Sequence, residues 1–310
     1  MRPVRDSLLL LSRSTAVKRI VTTLPLSAGL VRSYVPGEDT EDAVRAVGEL
    51  AADGIEATID FLGEETVEPE QATATVQAYR TLLARLVAAG LADRAEVSVK
   101  LTAIGLRLED GERVALENAR SICRAAQRAG TTVTIDMEDH TTTDATLAIV
   151  QELRQDFPDT GAVLQAYLRR TEDDCRALAG PGIRVRLCKG AYDEPIEVAY
   201  TDPAEVDRSY VRCLKVLLKG EGYPMVATHD PRLVEIASAL ASRYGRAQGT
   251  YEFQMLYGIR PAEQRRLADA GERVRVYLPY GEEWYGYLMR RLAERPQNLS
   301  LFLTSLISKK

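Results

Sequence analysis

Histidine is scarce in this chain of 310 residues: His140 and His229 are the only two. Four cysteines (Cys123, Cys175, Cys188 and Cys213) stand far apart, with no Cys-x-x-Cys pair. These shortages argue against a structural zinc site. They also argue against a disulfide framework and favour a reducing compartment. Long apolar runs are missing too. Leu8–Leu11 is cut off by Ser12 and Arg13, too short for a membrane helix or a signal-peptide core. The expected location is therefore cytoplasmic, with any membrane contact peripheral, at the inner face of the cell membrane. No Gly-x-Gly-x-x-Gly turn occurs, so the usual dinucleotide signature of an open doubly wound sheet is absent. A net charge of −5, without a basic stripe carrying interleaved aromatics, speaks against nucleic acid as a partner.

What remains is an ordinary globular composition, 45% hydrophobic and 27% charged. The charge is uneven: residues 1–37 hold six basic groups against Asp6 alone. Beyond this arm, short β-branched stretches alternate with helical ones. Strands are expected at residues 55–62, 96–105, 131–139, 161–168, 183–192, 224–230, 249–258 and 273–281. Each is followed by a helical pattern, and the links carry Gly or Pro. Eight such units predict an α/β fold, a (β/α)8 TIM-like barrel, ahead of the open sheet. The division expected is an N-terminal helical arm over 1–50, the barrel over 51–297 and an amphipathic tail over 298–310.

In such a barrel the chemistry gathers where strands end. Lys100, then Asp136 and Glu138, then Gln165 close strands two to four. Arg186 and Lys189, with Tyr192 just after, close strand five; Thr228 and His229 close strand six; Tyr277 closes strand eight. Several readings stay open on these residues alone. Asp136 and Glu138 with His140 suggest a cation site, or ion pairs with the barrel arginines. Lys100 and Lys189 suggest Schiff-base chemistry, or lysines neutralised by the strand-three carboxylates. His229 reads as a general base or a contact at a helix N-terminus. Tyr287, Arg290, Arg291 and Glu294 share one helical face, a solvated stripe with an Arg290–Glu294 pair or a ligand grip. Rich in Arg and Lys, walled by tyrosines and lacking a nucleophile–base pair, the set suits an anionic ligand whose chemistry a cofactor supplies.

The ordered segments RVRLCKGAYDEP, ATHD, YEFQMLYG, RVYLPYG and YLMRRLAERPQN resemble the proline dehydrogenase family, and the resemblance runs from about residue 40 onward. It implies a distorted barrel with non-covalent FAD that oxidises L-proline to Δ1-pyrroline-5-carboxylate. The implied step is hydride transfer from proline C5 to flavin N5, with electrons then passed to a membrane quinone. Arg290 and Arg291 would grip the proline carboxylate with help from Lys100, and paired guanidinium hydrogen bonds suit that task. Tyr277 would pack on the proline ring, Tyr192 and Leu256 would complete its wall, Asp136 would orient the charged groups, and Glu294 would tether Arg291 or a gating loop. Gln165, Arg186, Lys189, Gly190, Ala191, Tyr192, Thr228, His229 and Glu138 fall on the cofactor side. Cys188 departs from the family, where an aliphatic residue is commoner. The competing readings are a lysine-dependent aldolase on the same barrel and a non-catalytic amino-acid-binding barrel. The basic arm and the tail, with Leu299, Phe302, Leu303 and Leu306 on one face, are expected to cover the barrel or touch an anionic membrane.

Overall fold

The computed structural model describes residues 31–63 and 66–294, with the side chains of residues 290 and 292–294 left outside the description. The expectations for most of the arm and for the tail thus lie outside the described residues. Strands β1 (Glu56–Phe61), β2 (Ala95–Val99), β3 (Val133–Ile135), β4 (Gly161–Gln165), β5 (Arg184–Cys188), β6 (Tyr223–Ala227), β7 (Glu252–Leu256) and β8 (Val274–Tyr280) close into a barrel in sequence order. Every neighbouring pair is parallel, including β1 with β8. The expected eight-stranded barrel is therefore what forms.

Helix α1 (Thr40–Ala52) precedes β1, and α2 (Pro69–Ala88), α3 (Gly111–Ala129), α4 (Thr143–Asp156) and α5 (Thr171–Ala177) follow the first four strands. After the later strands come α6 (Pro203–Lys219), α7 (Pro231–Arg243), α8 (Pro261–Asp269) and α9 (Trp284–Glu294). Local chemistry starts them. Asp202 and Asp230 accept hydrogen bonds from the main-chain N–H groups of Ala204 and Arg232, and a proline follows each cap. Among the described residues no helix is long and apolar enough to cross a membrane.

Alternation along each strand sorts the side chains into two environments. Outward residues such as Ile59, Val97, Ile135, Leu187 and Leu278 are fully buried against the helices. Each such side chain contributes about 1.5–3 kcal/mol by leaving water. The inward set is different. Glu56, Thr58 and Asp60 on β1, Glu96 and Ser98 on β2, Arg184 and Arg186 on β5, Glu252 and Gln254 on β7 and Arg275 on β8 pair across the barrel. The apolar core thus lies between sheet and helices, and charged layers fill the barrel.

Glu96 anchors the lower layer. Its carboxylate meets Arg184 at 2.6 Å and accepts from Thr132 and Thr134 at 3.1 Å. Burial alone would raise Glu96, but Arg184, Arg275 and Arg186 hold it well below the usual carboxylate range. Glu252, fully buried, takes Arg275 at 2.8 Å and the Tyr223 hydroxyl at 3.0 Å.

Every strand ends earlier than the sequence pattern suggests, β2 by the most. The stretch 96–105 is strand only to Val99, after which Thr102–Ile104 forms a 3₁₀ turn. The turn is held because Thr102 gives both its backbone N–H, at 3.1 Å, and its hydroxyl to Glu138. Likewise β3 stops at Ile135, so Asp136 and Glu138 stand on the following loop.

Glu96→Gln should cost about 3–5 kcal/mol, because buried guanidinium groups lose their counter-charge. Since the Glu96 value is lower when folded, its stabilisation is complete above the ordinary 4.5 and is lost as pH falls below it. Chemical denaturation from pH 7 to pH 3 should give a flatter acid limb for the variant. Equal slopes for both proteins would show that Glu96 is not the titrating anchor.

Candidate active site

A cleft of about 490 Å³ opens at the C-terminal ends of the strands. Its floor is built around Arg186, which is 4% exposed. The guanidinium donates to Asp136 at 2.7 Å, Ser98 at 2.9 Å, Gln254 at 2.6 Å and Thr58 at 3.2 Å. It also lies 5.3 Å from the centre of the Tyr277 ring. Asp136 is fully engaged: one oxygen accepts from Arg186 and Ser98, and the other from the Tyr277 hydroxyl at 2.7 Å. Burial, reinforced by Asp136 and Asp60, pushes the Tyr277 phenol well above its ordinary value, so it remains a donor.

Lys100 stands beside this group, just past β2. Its ammonium pairs with Asp60, lies 3.8 Å from Asp136 and is 3.4 Å from the Tyr277 oxygen. Burial would lower Lys100, but Asp60 and Asp136 outweigh it and hold the group above its ordinary value. The neutralising carboxylates thus come from β1 as well as from the loop after β3. Asp60 was not among the expected site residues, although it was visible as the second acid in IEATIDFL, nearest the strand's C-terminal end and in phase with inward Thr58.

The second flank rises from β5 and β6. Lys189 pairs with Asp207 at 2.5 Å and Asp230 at 3.4 Å. Hydrogen bonding from Arg232 draws Asp230 down to about 2. Gly190 requires its glycine: φ is +113°, and an added Cβ would fall 2.2 Å from Tyr167. Glu194 then staples this loop, accepting from the His140 backbone N–H at 2.9 Å and the Tyr167 hydroxyl at 3.2 Å. Opposite, His229 Nε2 accepts the Leu256 N–H at 2.8 Å, so the neutral ring carries its proton on Nδ1.

Most expected residues therefore converge. Lys100, Asp136, Tyr277, Leu256 and Arg291 line the cleft, and the Arg291 guanidinium sits 5.2 Å from the centre of the Tyr287 ring. So do Gln165, Arg186 and Lys189, the stretch from Gly190 through Ala191 to Tyr192, and Thr228 with His229. Glu138 does not: its carboxylate is spent on Thr102, and only its carbonyl reaches the site, accepting from Gln165 at 2.7 Å. Asp136, Glu138 and His140 face three different partners, which separates the residues of the cation reading. The side chains of Arg290 and Glu294 lie outside the described residues. Cys188 lines the cleft, and burial pushes its thiol up to about 12.

Comparison with known proteins now bears on this geometry. A family model described as proline dehydrogenase matches residues 43–302. The chain is 37% identical over 306 residues to proline dehydrogenase 1 of Bacillus subtilis (strain 168), across 99% of this chain and 100% of that one. It is 41% identical over 281 residues to the proline dehydrogenase of Deinococcus radiodurans, across 90% of each. Among solved structures, proline utilization A (PutA) of Bdellovibrio bacteriovorus, inactivated by N-propargylglycine, aligns with a TM-score of 0.81 at 28% identity. That alignment covers 92% of this chain and 34% of the PutA chain, so this chain spans about a third of that protein.

Schiff-base chemistry needs an unprotonated amine at working pH, and Lys100 is held charged. Incubating the protein at pH 7 with small aldehydes and cyanoborohydride should leave Lys100 unmodified by peptide mass spectrometry. A stoichiometric adduct at Lys100 would revive the aldolase reading.

Proposed function

This chain belongs to the proline dehydrogenase family, and we propose that it oxidises L-proline to Δ1-pyrroline-5-carboxylate with non-covalent FAD as the immediate electron acceptor and a membrane quinone as the final one. The observation that carries the reading is the two-sided cleft. Cations and tyrosines stand on one flank, and a second set of cations and small backbone groups stands on the other.

The substrate side suits a small cyclic amino acid. Arg291, with Arg290 beside it in sequence, would take the carboxylate by paired hydrogen bonds, and Lys100 would add a third donor. Tyr277 would pack on the ring, with Leu256 and Tyr192 closing the apolar wall. Asp136 holds Arg186 and the Tyr277 hydroxyl in fixed directions, so these groups need little reorganisation when charge shifts during reaction. Glu294 would tether Arg291 or a neighbouring loop.

The donor chemistry of the other flank fits a flavin. Arg186, Lys189 and Gln165 would lie along its ring portion, the Gly190–Tyr192 backbone would follow it, and Thr228 and His229 would meet its nucleotide portion. Glu138 would contribute only through the carbonyl that orients Gln165. Bound FAD supplies the two-electron acceptor that no side chain provides. Around it, this chain's own residues bind, align and shield the substrate. We assign the helical arm to residues 1–50, the barrel to residues 51–297 and peripheral membrane contact to the basic arm (1–37) and the tail (298–310), which would bring the protein to the inner face of the membrane where quinone resides.

Purified protein should be yellow, and anaerobic L-proline should bleach its visible band. Arg291→Ala and Arg290→Ala should each weaken transition-state binding by about 2–5 kcal/mol, which is a loss of at least about thirtyfold in kcat/KM. Arg291→Lys should not restore it, because one ammonium cannot reproduce the guanidinium fork. Yellow protein unbleached by L-proline would sink the substrate assignment, and colourless protein that FAD fails to reconstitute would sink the cofactor.

A further inference from the structure

We propose that Asp60 takes up the ammonium proton of the substrate, received through Lys100. The inference rests on the reading of the cleft as an amine-oxidising site. A secondary amine reaches the enzyme as its ammonium ion, and removing hydride from the adjacent carbon requires the nitrogen lone pair. Some group in the cleft must therefore accept a proton before oxidation.

Two carboxylates flank Lys100, and only one has capacity. Asp136 accepts three hydrogen bonds, from Arg186, Ser98 and Tyr277, which occupy both of its oxygens. Asp60 is 1% exposed, meets Lys100 through Oδ2, and its Oδ1 has no hydrogen-bond partner among the described residues. The Tyr277 hydroxyl also borders Asp60, but its single proton goes to Asp136. Burial, with Lys100 opposing, pushes the Asp60 carboxyl above its ordinary value. The two carboxylates thus differ in what they can still accept: both Asp136 oxygens are taken, and one Asp60 oxygen faces no donor among the described residues.

The transfer balances without an added reactant. A Lys100 N–H bond breaks as an Asp60 O–H bond forms; the neutral lysine then takes the proton from the substrate nitrogen. The products are a neutral secondary amine, a protonated Asp60 and a restored Lys100 ammonium, and no electrons change hands. Lys100 touches the substrate, and Asp60 stands behind it. His229 has no part: it lies on the other flank, with Nε2 committed to Leu256.

The test uses holoenzyme of wild type, Asp60→Asn, Asp60→Glu and Lys100→Arg. The last keeps the cation but cannot release a proton. Near neutral pH, Asp60→Asn and Lys100→Arg should lose about a hundredfold in kcat/KM on L-proline. The loss should shrink as pH rises into the range where the substrate sheds its own ammonium proton. It should shrink likewise on thiazolidine-4-carboxylate, whose ring sulfur lowers the basicity of the nitrogen. Asp60→Glu should recover most of the rate. Binding of tetrahydrofuran-2-carboxylate, an analogue with no amine, should change less than about threefold in Asp60→Asn by calorimetry, since the carboxylate grip is untouched.

A loss in both variants that is constant across pH and equal on both substrates would overturn the proposal. So would loss of the furan analogue's affinity in Asp60→Asn, which would make Asp60 only a prop for Lys100. An Asp60→Asn chain that fails to fold leaves the Lys100→Arg profile to decide. A wild-type protein that leaves L-proline unoxidised overturns the functional reading and this one together; active wild type with flat variant profiles overturns this one alone.

Discussion

The geometry of the cleft depends on one buried guanidinium. Arg186 reaches from β5 across the barrel and ties down groups from β1, β2, β7 and the loop after β3. In a low-dielectric interior a cation must be matched donor by donor, and the planar fork of arginine allows several directed bonds at once. Once Arg186 is placed, Asp136 is placed; once Asp136 is placed, the Tyr277 hydroxyl follows. Lys100 then finds its position between Asp136 and Asp60. Loosening the first contact leaves an unmatched charge that disturbs every later one.

This arrangement divides stability from positioning. Barrel interiors are commonly filled by branched apolar side chains, and here that material lies on the other face of each strand, against the helices. The interior is instead a ladder of ions and amides. From Arg186 it runs through Gln254 to Glu252 and Arg275, and separately to Glu96 and Arg184. Buried ion pairs add little net stability because desolvation offsets their attraction. What the ladder adds is direction: side chains held at both ends present the cleft with donors already aimed.

Much of this was legible before any coordinates. The period-two alternation of stretches such as IEATIDFL and RVRLCKG marks strands, and their regular spacing with helices leaves a closed barrel as the economical topology. Residues at strand ends then fall together because all eight strands are parallel. Legibility stops where pairing partners decide the outcome. Thr102 leaves the strand pattern because Glu138, thirty-six residues on, captures it; no local signal encodes that contact. For the same reason Glu138 looks like a site carboxylate by parity with Asp136, yet the strand has already ended and parity no longer holds. Asp60 was visible as an acid in an apolar strand, but its importance depends on Lys100 lying across from it.

The charge of the cleft also constrains what it selects. Three cations on its flanks have carboxylates at hand: Lys100 has Asp60, Arg186 has Asp136, and Lys189 has Asp207 and Asp230. With the chain as a whole at −5, little long-range field draws in an anion. Discrimination must then come from short-range hydrogen-bond direction and shape, which favours a zwitterion over a simple carboxylic acid. A zwitterion gains nothing from a distant field and gains fully from contacts with both signs at fixed spacing. Donors near Arg291 and an acceptor system centred on Asp60 and Asp136 offer those two signs within one cleft. The pairing that keeps Lys100 charged therefore also sets the polarity a ligand must match, so anchoring the cations and choosing the ligand are one electrostatic problem.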